Sequence, residues 1–208
     1  MKNTDTKSRL LEATLLLVSE KGYLGAATRE IAGRAGVTEI TLFRHFGSKE
    51  HLFEEVLRKY SFLPELKSII ADLDALSFED ALMLVGERYL HGLIKRRSLI
   101  KIMLSEINLY PEKVRAAYNS LIGEVRLTLA EFLEARRKAE RGVSSIAAAR
   151  AFLGMVFSYF LAEGIVKGKN ITKKEARNTL AEIVRIFLGG VTDATPPHSR
   201  RQQWKHPR

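Results

Sequence analysis

The sequence of 208 residues contains no cysteine. That removes disulfide frameworks, thiol nucleophiles and thiolate metal sites at once. Proline is scarce in the body of the chain, which holds only Pro64 and Pro111 ahead of Pro196, Pro197 and Pro207 near the end. Long apolar runs are missing too. The most apolar stretches, "TLLLVSE" and "IVRIFLGGV", are far shorter than the roughly 20 residues needed to cross a bilayer. The start, "MKNTDTKSRL", carries charged and polar residues where a leader needs an apolar centre. These features predict a cytoplasmic protein with no membrane partner. There is no phosphate-cradling glycine loop and no nucleophile–base pair. His51 with Glu54 and Glu55 has spacing compatible with a metal, but such a set on one helix is more commonly a solvated face. No catalytic residue, metal or cofactor is assigned.

What the chain does have is positive charge and helical periodicity. The formal net charge is +10. It is spread out: residues 1–60 hold ten Lys/Arg against eight Asp/Glu, and residues 192–208 hold four against one. A basic excess favours a polyanionic partner without choosing between nucleic acid and a membrane surface.

Apolar residues recur at helical spacing and nowhere alternate as in a strand. Leu10, Ala13, Thr14, Leu17 and Val18 share one face, and Gly22 is placed to end that helix. Thr28 is placed to cap a second helix with Ile31, Ala32 and Ala35 inward, and Gly36 closes it. Thr38 caps a third, which buries Leu42 and Phe46; Ser48 caps a fourth, running from Lys49 towards Tyr60. Further on, Ser77 with Asp80, Pro111, Ser144 or Ser145, and Thr172 with Glu175 mark the starts of longer helices. The predicted fold is all-α. Residues 1–47 form a three-helix unit, 48–191 a larger bundle, and 192–208 a disordered basic tail in which Trp204 and Lys205 are the residues suited to touching DNA.

Two short helices, Thr28–Ala35 and Thr38–His45, joined at Gly36, make a helix-turn-helix pattern. The second offers Glu39, Ile40, Thr41 and Arg44 outward. A carboxylate accepts from cytosine N4, threonine hydrogen-bonds or touches a thymine methyl, and isoleucine contacts that methyl. Thr28, Phe43, His45 and Lys49 flank this face, and the N–H groups at Thr38 suit a phosphate. Flanking contacts position the unit; Thr38 to Thr41 specify sequence.

The stretch "RLLEATLLLVSEKGYLGAATREIAGRAGVTEITLFRHFGSKEHLFEEVL" resembles the DNA-binding domain of the TetR/AcrR family of bacterial transcriptional regulators. The matching pieces are "LLVSEKGY", "ATREIAGRAGVT" and "TLFRHFGSKEHLF", in unbroken order over the first quarter of the chain. The resemblance implies a homodimer that reads a palindromic double-stranded operator, with a C-terminal domain holding a small-molecule pocket, and a repressor by the family's habit. It places Thr28, Thr38, Glu39, Thr41, Phe43, His45 and Lys49 at positions used against DNA. Phe43 stands where the family usually has tyrosine, losing a phenol–phosphate bond. Gly47 replaces a commoner proline or polar residue, which is expected to loosen that corner.

In the second unit, "SSIAAARAFLGMVFSYFLAEG" is rich in small residues that let helices approach closely. The last two long helices are therefore the expected dimer surface. Met83, Tyr89, His91, Met103, Tyr118, Met155 and Tyr159 are candidates for lining a pocket, although such a stripe is more commonly plain core. An apolar lining implies a hydrophobic or aromatic effector, whose binding shifts the fourth helix and the spacing of the recognition helices. The runner-up function is a helical small-molecule or lipid-binding protein without sequence-specific DNA binding.

Overall fold

The computed structural model describes residues 5–70, 72–136 and 143–192, with the side chains of 190–192 excepted. The predicted tail, with Trp204 and Lys205, lies outside the described residues from 193 onward. Among the described residues there are ten α-helices and no strand. They are α1 Thr6–Gly25, α2 Thr28–Arg34, α3 Glu39–Phe46, α4 Lys49–Tyr60, α5 Leu63–Ile69, α6 Phe78–Lys95, α7 Arg97–Glu106, α8 Glu112–Arg136, α9 Ser145–Tyr159 and α10 Lys173–Thr192. Short 3₁₀ turns cover Asp72–Ala75 and Ile107–Leu109, and α9 widens into a π-helical stretch over Phe160–Val166.

Local chemistry explains most of the starts. Thr38 accepts from the Thr41 amide (3.3 Å), Ser48 from His51 (3.1 Å), Ser77 from Asp80 (3.1 Å) and Ser144 from Ala147 (3.3 Å). Thr172 and Glu175 form a reciprocal capping box, with amide bonds of 3.3 and 3.0 Å. Each satisfies an amide that the first helical turn otherwise leaves unpaired. Pro111 sits one position ahead of the expected first turn, and its carbonyl accepts from Arg115.

Two corrections arise at the start of the chain. Thr28 is the first helical residue of α2, and no side chain caps that helix. Its hydroxyl is held elsewhere, as described below. Gly22 does not end α1. It breaks it, at φ 77° and ψ 171°, and helical hydrogen bonding continues to Gly25. That backbone region is open essentially to glycine alone.

The core has two parts. The first joins α1–α4 to Leu63, Leu99, Met103, Tyr110, Val114 and Leu121, so α7 and α8 pack directly on the N-terminal helices. The predicted inward residues Leu10, Leu17, Ile31, Leu42 and Phe46 are all buried in it. The second part lies among α5, α6, α8, α9 and α10 around Leu82, Phe152, Phe160, Leu180 and Phe187. Gly86 lets α10 approach α6 closely, since a Cβ there would meet Leu180 Cδ2 at 3.0 Å.

Candidate functional site

The turn between α2 and α3 passes through Gly36 at φ 69°. It sets α3 with Leu42 and Phe46 buried and the opposite face in solvent. Ile40 is 81% exposed and Phe43 42%, an unusual state for large apolar side chains. Thr38, Arg44 and His45 are exposed, and Glu39, Thr41 and Lys49 partly so. The predicted reading face is therefore one contiguous surface on α3.

Several of its groups are already occupied. Thr28 Oγ1 donates to Glu39 Oε1 at 2.5 Å, which ties the start of α2 to the start of α3 and explains why Thr28 does not cap its own helix. The Thr38 and Thr41 hydroxyls lie 3.0 Å apart and share a hydrogen bond. Lys49 does not stand free. Its ammonium lies 4.6 Å from the Tyr23 ring centroid and 3.5 Å from the Leu24 carbonyl, and burial pushes its pKa down. Arg34 and Lys21 pair with Glu20 (2.8 Å) and Glu30 (2.6 Å), whereas Arg29 and Arg44 have no ion pair among the described residues. Arg29 had no distinguishing signal in sequence beyond its place in the first turn of α2.

Gly47 does not loosen its corner. Its amide donates to the Phe43 carbonyl at 2.7 Å, and the Ser48 amide donates to Phe46 at 2.8 Å, closing a tight turn at φ 74°. Glycine is what that geometry demands.

Behind this unit lies a cavity of about 340 Å³. This is within the usual range for small-molecule sites. Its walls come from α4 (Val56, Leu57, Tyr60), α6 (Tyr89, Leu93), α7 (Leu99, Ile100, Met103), α8 (Tyr118, Leu121, Val125) and α9 (Leu153, Phe157). Of the seven predicted lining residues, Tyr89, Met103 and Tyr118 are here. Met83, His91, Met155 and Tyr159 are not. An α-helix turns about 100° per residue. His91, two residues after Tyr89, therefore faces away and is exposed, and Tyr159 stands likewise to Phe157. Met83, Met155 and Tyr159 pack on the second core. The lining that composition did not suggest is Arg96, Arg126 and Arg150, because arginine in a sequence reads as solvent-facing.

The cavity reaches the α3 face along two paths, one covalently continuous and one closed by a hydrogen bond. One is α4, which carries Tyr60 in the cavity wall and Lys49 at the other end, about 17 Å away along the axis. The other is α7. One turn beyond Met103, the Glu106 carboxylate accepts from the Tyr23 amide at 2.9 Å. It occupies the space at Gly22 where any Cβ would overlap it. Tyr23 in turn packs on Phe53 (5.0 Å) and Tyr110 (5.4 Å), and its hydroxyl donates to Glu50 at 3.4 Å. Burial, with the Glu50 charge second, pushes the Tyr23 phenol far up.

A helix-turn-helix unit with an exposed α3, mounted on a helical bundle around a largely apolar cavity, is the architecture of a DNA-binding transcriptional regulator. Comparison with known proteins makes the class specific. Residues 10–56 match the model for bacterial regulatory proteins of the tetR family, and residues 80–190 match the AefR-like transcriptional repressor C-terminal domain. The HTH-type transcriptional regulator YvkB of Bacillus subtilis (strain 168) is 26% identical over 191 residues, covering 90% of this chain and 97% of that one. The HTH-type transcriptional repressor KstR of Rhodococcus jostii (strain RHA1) is 42% identical over 55 residues, 26% of each chain. A crystal structure of a TetR-family transcriptional regulator from Mesorhizobium loti MAFF303099 has the same fold, with TM-score 0.71 at 23% identity over 91% of this chain and 98% of that one. This chain belongs to the TetR family of bacterial transcriptional regulators. It is a DNA-binding regulator and not an enzyme.

Proposed function

We propose that the protein is a repressor that binds a palindromic operator as a homodimer through α3 and is released when a small hydrophobic ligand enters the cavity. The observation that carries this is the double duty of α4. Val56, Leu57 and Tyr60 wall the cavity, and the same helix begins with Ser48 and Lys49 directly after α3. A ligand that moves the cavity end of α4 moves the operator-facing end as well. Glu39, Ile40 and Thr41 set sequence preference, with Thr38 and Arg44 beside them; Thr28, Phe43, His45 and Lys49 position the unit, and Arg29 adds a phosphate contact. Glu39 must exchange its Thr28 bond for a base, or read through it.

The dimer forms through α9 and α10. Ala147, Ala151, Gly154, Ser158 and Ala162 make an exposed stripe of small residues at spacings of three and four. Ile186 on α10 is 65% exposed. Contrary to the sequence expectation of no long apolar run, Ser145–Val166 is long and apolar enough to span a membrane by length and composition, a test that core helices also pass; only 33% of its most apolar stretch is buried within one chain. A second copy covers that surface and sets two α3 helices about 34–36 Å apart, one helical turn of duplex.

The test is selection of bound sequences from a random duplex pool, followed by operator titrations at fixed salt with and without ligand. A palindromic consensus and a ligand-weakened affinity are expected. Equal binding to all duplexes, or operator affinity unmoved by a ligand that occupies the cavity, refutes the proposal.

A further inference from the structure

The cavity lining contains three arginines and no carboxylate. Arg126 and Arg150 make no hydrogen bond or ion pair among the described residues. Arg96 donates only to its own helix, from Nη1 to the Gly92 carbonyl at 3.2 Å. Gly92 permits this fold-back, because a Cβ there would meet Arg96 Nη1 at 2.9 Å. Glu65, whose charge is felt at Arg96, pairs with Arg88 at 3.8 Å instead. Tyr89 and Tyr118 also face the cavity, and neither hydroxyl has a partner among the described residues. Burial pushes both phenols up, and the Arg126 charge opposes that rise at each.

Every polar side-chain group of this cluster can donate, and apart from Tyr60 and Ser61 the rest of the wall is apolar. Arg96 and Arg126 are half-buried, and a cation drawn partly out of water gains from a partner that supplies an acceptor. We propose that the cavity takes an amphipathic organic anion. A carboxylate on an aliphatic or aromatic body is held by Arg126 and Arg96, with the Tyr89 and Tyr118 hydroxyls donating, while the body lies against Leu57, Leu93, Met103 and Val125. Planar guanidinium suits this role because it donates two parallel bonds to one carboxylate. Burial that pushes the Arg96 pKa down marks the site as poorly solvated, where one added anion has large effect. This inference rests on the cavity being the ligand site proposed above, and adds the ligand's charge.

The experiment is calorimetric titration of the full-length protein, without DNA, with two matched pairs: decanoate against decanamide, and 4-phenylbutanoate against 4-phenylbutanamide. The acid of at least one pair is expected to bind tenfold or more tightly than its amide. R126M and R96M should each cut that preference at least fivefold, weakening the acid more than the amide, with the thermal midpoint unchanged. R150M, at an exposed position, should change it less than twofold. If a variant is unstable, R126K provides a second measure: it keeps the charge, loses the planar fork, and should retain an intermediate preference. Equal binding of acid and amide to the wild type overturns the inference. If those amides also weaken operator binding, the regulator reading stands and only the charge assignment falls. If neither member of either pair binds, both fall.

Discussion

Replacing Gly22 with alanine tests whether the contact between α7 and α1 is a structural element or an accident of packing. Two costs arise together. At φ 77° and ψ 171° the backbone lies in a region open essentially to glycine, and an L-residue there loses of order 1–3 kcal/mol. The new methyl also overlaps the Glu106 carboxylate and expels it, leaving the Tyr23 amide, within a buried residue, without its acceptor. An orphaned buried donor costs about 1–3 kcal/mol. The expected loss for G22A is therefore about 2–6 kcal/mol. With a urea dependence of about 2–3 kcal/mol/M, the unfolding midpoint falls by about 0.7–3 M.

Equilibrium urea denaturation followed by circular dichroism measures this directly, and E106A separates the two costs. In the wild-type background E106A loses only the hydrogen bond, about 1–3 kcal/mol. In the G22A background the carboxylate has already been expelled, so removing it costs little, and the cycle closes with a coupling of about 1–3 kcal/mol. Operator affinity of G22A should fall as well, since Tyr23 carries Lys49 on its ring. A G22A unfolding free energy within roughly 0.5 kcal/mol of wild type, or strict additivity with E106A, would refute the reasoning.

Gly47 offers a cleaner backbone test, because a Cβ there meets nothing within 4 Å. G47A should cost about 1–3 kcal/mol from its φ of 74° alone, measured by the same denaturation. K49Q should lower the slope of log affinity against log salt by about 0.9 in operator titrations, as loss of one phosphate contact requires. Glu175 gives a pH prediction. Hydrogen bonding first to Lys169 and then to Thr172 pulls its pKa down to about 2 from 4.5. A depressed carboxylate stabilises the fold fully above its unfolded pKa and less as pH falls through its folded one. The start of α10 should thus loosen between about pH 4.5 and pH 2, seen as faster amide exchange near Thr172, and E175Q should show no such change.

Helix starts were legible because capping is local chemistry. Thr38, Ser48, Ser77, Ser144 and Thr172 each bond an amide three residues on. Thr28 was misleading for the complementary reason: the same hydroxyl that suits a cap finds Glu39, 11 residues away, through the fold. The division between α6 and α7 was not legible. "LIKRRSLIKI" contains neither proline nor glycine, and no side chain caps α7. Packing, rather than a local breaker, sets that bend. Cavity residues failed on angle. Tyr89, Met103 and Tyr118 share their residue types with Met83, Met155 and Tyr159, which lie outside the wall, whereas on α8 the wall runs Tyr118, Ile122, Val125 and Arg126, a plain helical face. Choosing by register around one anchor on each helix finds the face; choosing by residue type does not.

The two paths from cavity to operator face differ in what they transmit. α4 is a rigid rod whose ends move together, so it converts displacement at Tyr60 into displacement at Lys49 and α3. The α7 path ends in one hydrogen bond from the Tyr23 amide to Glu106, made where the α1 backbone already departs from helical geometry. Such a joint holds or releases; it does not lever. With α7 supplying three cavity-wall residues and then the carboxylate one turn later, the proposed ligand would bear on both the rod and the latch that fixes its pivot. Lys49 lies where they meet, seated on the ring of the residue that Glu106 holds and at the N-terminus of the helix that walls the cavity.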